Sequence, residues 1–205
     1  MIVEKITGPE SEIFSGRAEN PLAYKNWVDI DGVTTGFSIR HDGSSIHLFY
    51  LVTESHVRAI STVYNGPVWE DSCVEFFFSP DKGGKDYYNF EFNAIGTVLG
   101  GYGPDRNQRE HLPESVLKQV ETTPSLGRAP IEGIHGETTW TLRVRIPLKT
   151  LLFSKIEDLS GLEAHANFYK CGDKLDRPHF LSWKPVLNPT PDFHTPRYFG
   201  QLSFM

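Results

Sequence analysis

Cysteine, basic charge and long apolar runs are all scarce in this 205-residue chain, and each scarcity removes a class of function. Two cysteines, Cys73 and Cys171, cannot build a disulfide scaffold and form no Cys-x-x-Cys metal motif. Two reduced thiols in a cytoplasmic protein are the expectation, with a single Cys73–Cys171 bridge as the alternative. The methionines stand only at positions 1 and 205, which removes Met as a haem ligand. Lys and Arg number 20 against 26 Asp and Glu, for a net charge of -6 and a pI near 5.7. Nucleic-acid surfaces need clustered cations to neutralise phosphates, and no such cluster exists here. No stretch approaches the ~20 apolar residues of a membrane helix, and the first residues contain no signal-type apolar run. The expectation is a cytoplasmic chain with no nucleic-acid and no membrane partner. With no linker, repeat or low-complexity tract, residues 1–205 read as a single domain.

Aromatic residues are plentiful: 14 Phe, 8 Tyr and 4 Trp. They concentrate in residues 67–103, where two strand-like runs flank a loop. Val74, Phe76 and Phe78 alternate with Cys73, Glu75 and Phe77; Tyr88, Phe90 and Phe92 alternate with Asn89, Glu91 and Asn93. Each strand thus has an apolar face and a face of carboxylates and carboxamides. Such a face suits hydrogen bonding to hydroxyls, although polar residues on the outside of a half-buried sheet are also ordinary.

Elsewhere a hairpin is expected from 36–40 and 45–52, turning at Asp42-Gly43, where glycine supplies a positive φ. Strands are expected at 2–6, 140–147, 162–171, 179–185 and 198–204, and a helical turn or short strand at 114–120. Trp140, Leu142, Val144 and Ile146 alternate without fault. Short strands with turn chemistry between them and no 3.6-residue period predict an all-β, antiparallel β-sandwich. The run Gly100-Gly101-Tyr102-Gly103 reads as a turn after a strand.

Sugar sites combine an aromatic face against the ring with carboxylates and amides around its rim. Trp69 and Trp183 are the expected platforms, while Trp27 and Trp140 are expected in the core. Glu75 and Glu91 form the one carboxylate pair whose spacing allows a glycosidase reading. His165, His179 and His194, with Asp192, carry no zinc spacing. No cofactor is expected; calcium held near Asp71 or in the loop 81–86 is the one ion the acidic loops suggest. No Gly-x-Ser-x-Gly elbow and no phosphate-binding loop is present.

Six segments in order carry a family resemblance: Val-Trp-Glu-Asp-Ser-Cys-Val-Glu-Phe-Phe from Val68, Tyr-Tyr-Asn-Phe-Glu-Phe-Asn-Ala-Ile-Gly from Tyr87, Trp-Thr-Leu-Arg-Val-Arg-Ile-Pro-Leu from Trp140, Ala-Asn-Phe-Tyr-Lys-Cys-Gly-Asp from Ala166, His-Phe-Leu-Ser-Trp-Lys-Pro-Val from His179, and Pro-Asp-Phe-His-Thr-Pro-Arg-Tyr-Phe-Gly-Gln-Leu-Ser-Phe from Pro191. Together they resemble the carbohydrate-binding module family nine-like proteins, in particular their stand-alone, Bacteroides-type branch. The resemblance implies a DOMON-like sandwich and non-catalytic binding of a mono- or oligosaccharide, including recognition of a reducing end. By position it implies Trp69 and Trp183 as sandwiching aromatics, Glu75 as hydroxyl acceptor, and Asn93 and Asn167 as amide contacts. Glu91 departs from the pattern, because a basic residue is usual there; Lys170 or Arg143 would then supply the missing charge. Two other readings stay open beside it: a glycoside hydrolase using Glu75 and Glu91, and a protein-docking face.

Overall fold

The structure, a computed structural model, describes residues 1–6, 8, 13–14, 16–81 and 85–205. In chain order the strands are β1 (Ile2–Lys5), β2 (Asn20–Pro21), β3 (Tyr24–Lys25), β4 (Thr34–His41), β5 (Ser45–Ala59), β6 (Cys73–Ser79) and β7 (Tyr87–Asn93). There follow β8 (Val98–Gly103), β9 (Glu110–His111), a single helical turn α1 (Glu114–Leu117), β10 (Glu121–Pro124), β11 (Ile131–Pro147), β12 (Glu163–Cys171), β13 (Phe180–Ser182) and β14 (Gly200–Phe204).

One layer runs β10-β11-β5-β4 and the other β14-β12-β6-β7-β8-β9, with β1 joining them. Ile2 and Val3 pair with β14, then Glu4 and Lys5 pair with β4, so one four-residue strand passes from one layer to the other. The other pairings are antiparallel among the described residues, as the alternation predicts; β1 alone runs parallel to both its neighbours.

The expected hairpin forms between β4 and β5. Asp42 closes its turn by accepting the backbone N–H groups of Ser44 and Ser45 at 2.8 and 2.7 Å. β11 is longer than the sequence suggests. Its first half is exposed and interrupted by register shifts between Ile131 and Ile134 and between His135 and Thr138, which erase the period-two signal. The glycines at 100 and 101 sit inside β8 and not in a turn. A Cβ on Gly100 would lie 2.6 Å from Leu117, and one on Gly101 2.7 Å from the Asn89 amide oxygen. Both are places where a neighbour lies directly against backbone.

The main core lies between the layers. Ile46, Leu48, Tyr50 and Val52 of β5 face Val74, Phe76 and Phe78 of β6 and Tyr88, Phe90 and Phe92 of β7. Phe37 of β4 stacks on Phe168 of β12 across the sandwich, a contact worth ~1 kcal/mol beyond its buried area. Trp140 is in this core, as expected, with its indole N–H donated to Glu54 at 2.8 Å.

A second apolar cluster covers the other face of β6, β7 and β12. Cys73, Phe77, Tyr87, Tyr169 and Phe193 form its centre, and Trp27, Trp69 and Phe180 lie around it. These three strands are therefore buried on both faces.

Lys170, on the core side of β12, is fully buried and meets three acceptors: Glu54 at 2.9 Å, the Cys171 carbonyl at 2.8 Å and His179 Nε2 at 2.7 Å. An ammonium only donates, so His179 Nε2 accepts and its Nδ1–H is donated to the Arg177 carbonyl at 3.0 Å. Burial and the adjacent Lys170 charge push the His179 pKa down to about 3, which keeps the ring neutral. Removing one partner of a buried pair strands the other charge. Glu54→Gln or Lys170→Met alone should cost ~3–5 kcal/mol in urea denaturation, while the double variant should be more stable than either. Equal or additive losses would show that the two charges do not depend on each other.

Candidate functional site

Period-two alternation on β6, β7 and β12 turns Glu75, Glu91 and Cys171 away from the main core to the outer face. There they form the floor of a cleft of about 220 Å³. Trp69 enters from a short helical turn, Val68–Glu70, tied down where Asp173 donates its N–H to the Trp69 carbonyl at 3.1 Å. Trp27 enters from the loop after β3, and Phe180 of β13 and Phe193 complete the aromatic wall. Arg106, Arg109, Asp173, Asp192 and His194 carry the charged and polar rim.

Trp27 was expected in the core, yet it is half-buried and lines the cleft. Its backbone adopts φ 60°, a left-handed conformation that costs a non-glycine residue ~1 kcal/mol or more and persists only where neighbours impose it. Asn26 imposes it: the side-chain amide donates to the Tyr24 and Phe180 carbonyls and to Ser182, and its oxygen accepts from Val186. The Trp27 indole N–H, donated to the Asn188 carbonyl at 2.7 Å, fixes the ring.

Trp183, the other expected platform, lies elsewhere. Strand parity on β13 sends Phe180 to the cleft and Leu181 and Trp183 to the core side. Trp183 meets Phe37 and Phe168 edge-on, and Lys184 sits over its ring at 4.1 Å. Asn93 and Asn167 are fully buried and not in the cleft. Asn93 bonds the Ser61 carbonyl, Asp71 and the Thr97 N–H; Asn167 bonds the Lys184 and Tyr198 carbonyls and the N–H groups of Phe168 and Lys184. Their amides hold loops in place.

Asp71 is equally committed. One oxygen accepts from Arg58 at 2.7 Å, and the other from the N–H groups of Ile60 and Ser61 and from Asn93. That set of donors does not fit a calcium ligand, which needs free oxygens. The centre of the loop 81–86, the other calcium position, falls outside the described residues at 82–84.

The positive charge beside the carboxylates comes from Arg109. Its Nη1 is 3.3 Å from Glu91, which also accepts from Asn89 at 2.9 Å. Lys170 lies on the opposite face of β12, and Arg143 belongs to β11 in the other layer, opposite Thr123. Arg109 also lies at comparable distances from both ring nitrogens of His194, 3.0 and 3.5 Å, so it rests across the imidazole. Burial and the two nearby arginines push His194 down to about 2, and the neutral ring bonds Tyr87 at 2.7 Å.

Glu75 and Glu91 are direct cross-strand partners. Burial raises both, and it raises Glu75 furthest, because the Glu91 charge adds to burial while Arg109 and Asn89 favour the ionised form of Glu91. Of the pair, Glu75 is therefore pushed furthest toward its protonated form. Cys171 donates its thiol proton to Glu75 at 3.0 Å, and burial beside Cys73 keeps that thiol protonated. A carboxyl in its protonated form both donates and accepts, so Glu75 can offer a hydroxylated ligand either kind of partner.

A β-sandwich bearing an aromatic-walled cleft with a carboxyl floor and a guanidinium rim belongs to the class of small-ligand-binding sandwich modules. Residues 17–204 match the model of carbohydrate-binding family 9, and the chain belongs to that family. A crystal structure from Bacteroides uniformis, of a protein whose carbohydrate-binding role is itself an inference, is 40% identical with a TM-score of 0.92, covering 100% of this chain and 98% of that one. Two structures of a family 9 carbohydrate-binding module from Caldicellulosiruptor kristjanssonii share the fold at 12% identity. The glucose complex has a TM-score of 0.58 with 100% and 95% coverage, and the cellotriose complex 0.61 with 100% and 92%. No curated protein matches the chain.

Glu75 keeps a proton in the folded chain that the unfolded chain loses near the ordinary value of 4.5. Stability therefore falls as pH rises from that value through the raised one. Glu75→Gln abolishes this slope, so urea midpoints at about pH 5 and about pH 8 should differ less in the variant than in the wild type. Identical differences would mean that Glu75 ionises as freely in the folded protein as in the unfolded.

Proposed function

We propose that this chain binds carbohydrate without transforming it, and that one sugar ring enters the cleft against Trp69 and Trp27. The observation that carries this reading is the meeting of two half-buried indoles with the Glu75 and Glu91 floor and the Arg106 and Arg109 rim in one cavity. The indoles cover the C–H faces of a pyranose, and the carboxyls and guanidinium groups take its hydroxyls. At about 220 Å³ the cleft is smaller than the ~300–1,000 Å³ of typical small-molecule sites, which suits one terminal sugar unit better than the middle of a chain. A reducing-end unit enters with its anomeric hydroxyl toward the Glu75 carboxyl. The family 9 modules solved with glucose and cellotriose support the substrate class.

The unequal upward shifts of Glu75 and Glu91 also favour a second reading, a glycosidase acid and nucleophile. The arrangement of the floor weighs against it. Glycosidase carboxyls flank the scissile bond, whereas these two stand side by side on neighbouring strands beneath any bound ring. An aryl glycoside panel decides between the readings: turnover lost in Glu75→Gln would replace binding with catalysis.

Trp27→Ala and Trp69→Ala should each weaken sugar binding by roughly tenfold, a change of ~1.4 kcal/mol. Trp183→Ala should leave affinity unchanged and lower stability by up to ~3 kcal/mol. Calorimetric titration with glucose, xylose, cellobiose, xylobiose and their alditols measures both the effect and the dependence on a reducing end. Wild-type binding that survives in both cleft variants would move the site elsewhere.

A further inference from the structure

Outside the cleft, β5 and β11 place His56 and His135 directly opposite each other, and the loop 172–179 brings Asp176 onto the pair. The imidazoles are stacked 4.5 Å apart. The Nδ1 atoms of His56 and His135 lie 3.3 and 3.4 Å from the same Asp176 oxygen. These separations are long for charge-assisted hydrogen bonds, which run ~2.7–2.9 Å. They match the edge of a tetrahedron with ~2.0–2.1 Å metal–ligand bonds, about 3.3–3.4 Å.

We propose that His56, His135 and Asp176 form a binding site for one borderline divalent transition ion of the Zn²⁺ type. Two imidazoles and a carboxylate suit such ions, whereas Ca²⁺ and Mg²⁺ prefer all-oxygen sets. The His135 and Asp176 side chains are 69% and 64% exposed, so an ion has open access and a water completes its coordination. His56, 12% exposed, is the anchored ligand. Closing the set on an ion replaces the Asp176 N–H contact to His56 Nδ1, now 3.1 Å, and turns the exposed His135 ring.

The ion fastens the loop 172–179 to the end of the β5–β11 pair. The same loop carries Asp173 in the cleft, three residues before Asp176, and His179, which bonds the buried Lys170. Metal occupancy therefore orders one wall of the cleft from outside it. A second group of donors, Cys73, Glu75 and Cys171, also converges, but its thiols are buried and held protonated, which disfavours the thiolates a metal needs.

Titration of the untagged protein with Co²⁺ tests the site without any sugar. One saturable Co²⁺ per chain is expected, with the visible bands of a four-coordinate nitrogen and oxygen site, displaced by Zn²⁺ and not by Ca²⁺. His135→Gln, at an exposed position that leaves the fold intact, should weaken binding by at least about tenfold, and His56→Gln should do the same. Metal should slow amide exchange across residues 172–179 in the wild type and not in His135→Gln. The proposal is overturned by an absence of saturable binding, by a thiolate charge-transfer band that assigns the ion to Cys73 and Cys171, by undiminished affinity in the histidine variants, or by exchange that metal does not change.

Discussion

Strands β6, β7 and β12 are out of water on both faces, and this constraint organises the molecule. One face meets the opposite layer through phenylalanines, and the other meets loops that bring Trp27, Trp69 and Phe193 over it. A polar group on the second face cannot rely on bulk water, so each must find a partner or stay neutral. Asn89 supports Glu91, Asn93 holds Asp71, and Asn167 anchors the loop around Lys184. The cleft is where this covering is incomplete.

Charge follows the same rule. Three buried carboxyl groups have cations beside them: Glu54 has Lys170, Asp71 has Arg58, and Glu91 has Arg109. Glu75 has no cation in contact among the described residues, and burial together with the Glu91 charge pushes it toward the protonated form, with the Cys171 thiol donating to it. A sandwich floor whose two carboxyls favour the protonated form to different degrees is the electrostatic result. It follows from which strand neighbour each side chain meets, since the two residue types are identical.

The likeness to family 9 modules at 12% identity shows how little of this fold depends on particular side chains. What the sandwich requires is apolar residues at alternate positions and turns of the right chemistry between strands.

The alternation in β4 to β7, β11 and β12, and the Asp42-Gly43 turn, made the sandwich and the two faces of the central hairpin legible from the chain alone, because strand periodicity is a local property. It also placed Glu75 and Glu91 together and Trp140 in the core. The exposed, bulged half of β11 left no such period, so its pairing with β5, and the meeting of His56 with His135, were invisible. Which aromatic rings reach the cleft was decided only in three dimensions. Trp183 falls on the core side of β13 by parity, and Trp27 is turned outward by a left-handed backbone that the neighbouring Asn26 amide holds through its bonds to Phe180, Ser182 and Val186 far along the chain. Arg109 reaches Glu91 from a loop that carries no pattern of its own. Local sequence determined strands and faces, because these depend on neighbours two residues apart; the tertiary structure decided the walls of the cleft, because loops are positioned by hydrogen bonds to partners far along the chain.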